Sequence, residues 1–80
     1  MEPIHVTANF NSQGEVTPLS FAWRGRIYRV GATGRQWQDE EGRHLLVMTE
    51  SDTVYHLLFT PHGGKWYLLN GNHQGHYSLS

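Results

Sequence analysis

Ten residues, FAWRGRIYRV from Phe21 to Val30, hold the densest chemistry-bearing pattern in the chain: Arg24, Arg26 and Arg29 set among Phe21, Trp23 and Tyr28. Guanidinium groups interleaved with aromatic rings suit a single-strand nucleic-acid groove. The cations meet phosphate while the rings stack on bases, each stack contributing roughly 1–3 kcal/mol. Arg35 and Trp37 extend the pattern, and no acid falls between Glu15 and Asp39, so four arginines leave this segment at +4 in a chain of net charge −1. The candidate binding residues are therefore Arg24, Arg26, Arg29, Arg35 and Trp37. The competing reading is a hairpin whose aromatics belong to the core, with Arg26 lying over the Trp23 ring.

Other chemistries have weaker support. Six histidines are many for 80 residues, and His73 stands three positions before His76, but the chain has no cysteine and no familiar ligand spacing. A zinc ion needs three or four convergent ligands, so the histidines are expected in solvated loops and in the tail, with no metal site. Asp39, Glu40 and Glu41 precede Gly42 and read as a solvated turn rather than an acid/base pair. Nucleophile-elbow, phosphate-loop and paired-histidine zinc motifs are all missing. The PHGGK run, Pro61 to Lys65, reads as hairpin turn chemistry rather than an anion nest. The expectation is a protein that is not an enzyme and uses no cofactor.

The elements that must position these residues are strands. Period-two alternation between turn residues recurs along the chain, and no window sustains a helical repeat. Ile4, Val6, Ala8 and Phe10 share one face of a first strand, which NSQGE then breaks. A two-residue loop at Arg24-Gly25 sets Trp23 against Arg26, Phe21 against Tyr28 and Leu19 against Val30, with Ser20 against Arg29 on the opposite face. Arg29 thus faces away from Arg26, Arg24 sits in the turn, and the turn type stays open. A second hairpin, across Ser51-Asp52, pairs Met48 with Tyr55 and Leu46 with Leu57. A third, around PHGG, pairs Phe59 with Trp66 and Leu57 with Leu68. The shared apolar face is then Leu46, Met48, Tyr55, Leu57, Phe59, Trp66 and Leu68. Trp37 is the one large apolar residue in the polar loop or bent strand between the first two hairpins.

The pattern P-x-x-F-x-W-R-G-R-x-Y-x-V, present as Pro18, Phe21, Trp23, Arg24, Gly25, Arg26, Tyr28 and Val30, resembles a family of small bacterial proteins described only as a domain of unknown function. Trp37, the run Val54-Tyr55-His56-Leu57 and the run Gly64-Lys65-Trp66-Tyr67-Leu68 match its later motifs, so the likeness spans about Pro18 to Leu69. Genes for such proteins are often found near those of lesion-bypass DNA polymerases, and the resemblance therefore implies an association with DNA repair. It brings no catalytic residue with it.

Together these readings predict one all-β domain over residues 1–80, a small SH3-like antiparallel barrel or strongly curled sheet of five or six strands. Residues 70–80 form a frayed tail, to which Tyr77 and Leu79 could add an edge strand. The predicted core is Phe21, Trp23, Tyr28, Val30, Leu57, Phe59, Trp66 and Leu68. The lack of a signal-peptide pattern and of cysteine is compatible with a cytoplasmic location, and no apolar run is long enough to span a membrane. The expected role is a binding or adaptor module for an unidentified protein partner, present as a monomer or an edge-paired homodimer. The alternative is a nucleic-acid-binding module using the basic segment 24–35.

Overall fold

The computed structural model describes residues 2–70, which form six strands: β1 (Glu2–Phe10), β2 (Val16–Trp23), β3 (Arg26–Gln38), β4 (Arg43–Thr49), β5 (Val54–Thr60) and β6 (Lys65–Asn70). They pair antiparallel in chain order, and β6 returns to β1 to close a barrel. Closure gives each strand two hydrogen-bonded neighbours, which removes the open edges that a curled sheet would keep. Among the described residues no helix is long and apolar enough to cross a membrane. The tail beyond residue 70, with the strand proposed for Tyr77 and Leu79, lies outside the described residues.

Local chemistry explains each reversal. After β1, the Asn11 side-chain oxygen accepts from the backbone N–H groups of Gln13 and Glu15, each at 2.9 Å, holding the chain in a closed loop. Between β2 and β3, Arg24 and Gly25 both have positive φ, +51° and +77°, the signature of the type I′ turn that matches strand twist. Phe21 therefore faces Tyr28 and Trp23 faces Arg26, as expected. The β5–β6 hairpin likewise sets Phe59 against Trp66 and Leu57 against Leu68.

Two registers differ from the sequence expectation. The loop between β4 and β5 is one residue longer: the Asp52 N–H reaches the Thr49 carbonyl, and Asp52 is left-handed at φ +63°. A type I turn followed by a left-handed residue shifts the pairing by one, so Met48 faces Val54 and Val47 faces Tyr55. Leu45 and Val47 point into the barrel, while Leu46 and Met48 do not belong to its interior face. In β2, Leu19 is skipped between the pairs Thr7–Ser20 and Ala8–Pro18; this bulge turns Val16 and Pro18 inward and leaves Leu19 44% exposed. Leu19 is therefore not a core partner of Val30.

The segment left between loop and strand is the long, bent half of β3. Its register slips once at Gly31 and again between Thr33 and Gln36, where Gly34 lies, so β3 leaves β2 and continues along β4. The interior is built on Ile4, Val16, Phe21, Leu45, Val47, Tyr55, Leu57, Trp66 and Leu68, with Trp23, Tyr28, Val30 and Phe59 packed against them. All eight predicted core residues are among these.

Candidate functional site

The hairpin arginines are separated by the strand geometry that carries them. Arg24, in the left-handed turn, folds back over Trp23 with its guanidinium carbon 4.8 Å from the ring centroid, and its Nη2 lies 2.7 Å from Glu2 Oε1. The Trp23 indole N–H donates to the other oxygen of the same carboxylate. Those two contacts, the indole bond foremost, hold the Glu2 carboxyl below its ordinary range. The expectation that Arg26 covers Trp23 is thus corrected: the turn residue Arg24 does so, held there by its ion pair with Glu2, which the Trp23 indole also binds. Arg26 and Arg29 are exposed and make no ion pair among the described residues.

Arg29 lies on the outward side of the hairpin beside Ile27, which is 75% exposed. Arg35 sits on the far half of β3, 4.9 Å above the Trp37 ring. The five candidate residues therefore form no single stripe. Arg24 lies over Trp23 at the β2–β3 turn, Arg26 and Arg29 point to opposite sides of β3, and Arg35 and Trp37 form a separate pair.

A second constellation surrounds Trp37, and most of its members were expected in solvent. Trp37 and His44 are cross-strand partners, and their rings stack with centroids 5.0 Å apart and planes within 1°. His44 Nδ1 is 2.8 Å from His56 Nε2, and the His56 ring also packs on Trp37 at 5.2 Å. Burial, and then the neighbouring His44, push the His56 pKa down, which favours a neutral imidazole. The expectation of solvated histidines fails for His44, which is 3% exposed, because β4 packs nearly continuously from His44 to Val47 on both faces.

The β3–β4 turn supplies the acids. Asp39 Oδ1 accepts the Glu41 backbone N–H at 2.9 Å, and the Asp39 N–H reaches the Gly42 carbonyl at 3.0 Å. This tight reversal brings Asp39 Oδ2 to 2.9 Å and Glu41 Oε1 to 3.8 Å from His44 Nε2. The imidazole, followed by the Glu41 N–H, holds the Asp39 carboxyl below the usual carboxylate range. Glu41 Oε1 stands beyond hydrogen-bond distance and the Asp39 contact is an ion-pair approach without hydrogen-bond geometry, so the buried Nε2 makes no hydrogen bond. Asp39 and Glu41 thus occupy a turn, as read, but one folded onto a buried imidazole. The signal available in the sequence was the run Trp37-Gln38-Asp39-Glu40-Glu41-Gly42-Arg43-His44: a tight turn at Gly42 must bring its two arms face to face.

Residues 1–73 match the model of a family described as Domain of unknown function (DUF6504). Neither the curated proteins nor the solved structures contain a significant match.

Proposed function

The chain belongs to the family Domain of unknown function (DUF6504), and from that premise we propose that its barrel is a non-catalytic binding module that docks a protein on the outward face of the β2–β3 hairpin. The observation that carries this reading is Ile27, a large apolar side chain 75% exposed at the second position of β3, paired with Ala22 beside the hairpin turn, with Leu19 at 44% nearby. Shallow grooves of about 390 and 320 Å³ flank it, lined in part by Arg26, Tyr28, Arg29 and Glu50. An apolar ridge with arginine beside it and polar groups around it is the composition of a protein-docking patch.

Nucleic acid is the weaker partner class. A single-strand groove needs cations along one track and open aromatic faces, whereas Phe21 and Tyr28 stack on each other at 5.1 Å against the core and the arginines diverge. Edge-paired dimerisation is also less favoured, since every strand already has two neighbours. The genomic setting implied by the resemblance would make the partner a protein of a DNA-repair assembly.

The test compares the full chain with its Ile27→Asp variant as bait. Equal melting temperatures, with a protein retained by the wild type at high salt and lost by the variant, support the reading. Equal recovery by both baits contradicts it. So does salt-sensitive binding of a labelled single-stranded oligonucleotide that Arg24→Ala abolishes.

A further inference from the structure

We infer that Asp39, Glu41 and His44 form a binding site for one zinc-class divalent cation, a site independent of the docking face on the β2–β3 hairpin. One ligand atom from each residue, His44 Nε2 and a carboxylate oxygen of each acid, all lie within 4.8 Å of one another. Donors held about 2.0–2.2 Å from a common tetrahedral zinc ion stand about 3.4 Å apart. The two separations from His44 Nε2, 2.9 and 3.8 Å, bracket that value.

The second observation is the state of His44. The residue is 3% exposed, yet Nε2 has no hydrogen bond and has carboxylate oxygens of Asp39 and Glu41 2.9 and 3.8 Å away. Its other nitrogen is engaged with His56 Nε2 at 2.8 Å. When the Nδ1–H donates to His56, Nε2 presents a lone pair to two anionic oxygens, an arrangement that a cation completes. A ring nitrogen bonded away from the metal is also what fixes the tautomer of a ligating histidine.

Asp39 and Glu41 side chains remain about half exposed, at 47% and 56%, so the ion has a path inward and one coordination position faces solvent. One imidazole nitrogen and two carboxylates suit zinc better than magnesium or calcium, which favour all-oxygen sets. Spacing along the chain could not reveal the set, because it exists only once the Gly42 turn lays β4 against the end of β3.

The test is titration calorimetry of zinc chloride into the chelator-stripped full chain, with Asp39→Asn and Glu41→Gln, and with a His73→Gln/His76→Gln variant that removes the tail histidines. The replaced carboxylates are partly exposed, and circular dichroism checks that both variants keep the fold. The expected result is one equivalent of zinc bound by the wild type and by the tail variant, weakened at least about tenfold in each carboxylate variant. Zinc, but not equimolar magnesium, should raise the wild-type melting temperature. No stoichiometric binding at millimolar zinc, unchanged affinity in both carboxylate variants, or loss confined to the tail variant would each overturn the site.

Discussion

Gly42 lies so close to Phe59 that a Cβ on Gly42 would fall 2.3 Å from the Phe59 carbonyl oxygen. Its φ of +146° is also one that side chains rarely adopt. The obstructing atom is strand backbone, which cannot rotate aside. Gly42→Ala should therefore destabilise the barrel by roughly 2–4 kcal/mol in urea denaturation, with the cost divided between strain and displacement of β5. An unfolding free energy within about 0.5 kcal/mol of wild type would show that the turn relaxes freely.

Trp66 is buried at 8% exposure, with its ring 4.8 Å from Phe59, in the strand pair that helps close the barrel. Trp66→Ala should cost roughly 3–5 kcal/mol, a large part of the stability of a domain this small. A cooperative melt at nearly unchanged temperature would be incompatible with that packing.

The hairpin arginines should separate in a thermal melt. Arg24 covers the Trp23 face, a contact of about 0.5–1 kcal/mol at an exposed site, while Arg26 has no ring beneath it and no ion pair among the described residues. Arg24→Ala should lower the melting temperature measurably and Arg26→Ala should not. The reverse order would place Arg26, not Arg24, on the indole.

Much of this architecture is legible in the sequence, and the exceptions have physical causes. The β2–β3 and β5–β6 registers follow from matched apolar pairs on either side of a glycine-containing turn, Phe21 with Tyr28 and Phe59 with Trp66. The β4–β5 register is harder. His44, Leu45, Leu46 and Val47 are all buried, so alternation does not mark the inward face, and the left-handed Asp52 adds a residue to the loop. The bulge at Leu19 reverses the strand's parity without any glycine to announce it. The acid–histidine cluster depends on the Trp37–His44 pairing, which the adjoining turn at Gly42 sets, so its signal is the turn itself and not any familiar ligand spacing. By contrast, the divergence of Arg26 and Arg29 follows directly from strand alternation and is seen in the fold.

Acid should weaken the barrel in part through Glu2. Its folded-state pKa lies below the ordinary 4.5, first through the Trp23 indole and then through Arg24. A depressed carboxyl pKa contributes stability that is complete above the unfolded-state value and is lost as pH falls through the folded-state value. Glu2→Gln should therefore flatten the decline of melting temperature below about pH 4.5, with the two proteins converging at the acid end. Parallel acid limbs would show that these contacts do not persist in solution.

The docking proposal is tested most directly by placing a photoreactive benzoyl-phenylalanine at position 27 and irradiating intact cells, with the same group at the exposed Thr17 of β2 as a control. A protein adduct formed from position 27, absent from position 17 and resistant to nuclease, is the predicted result. A nuclease-sensitive adduct, or equal labelling from both positions, would contradict a protein-binding face centred on Ile27.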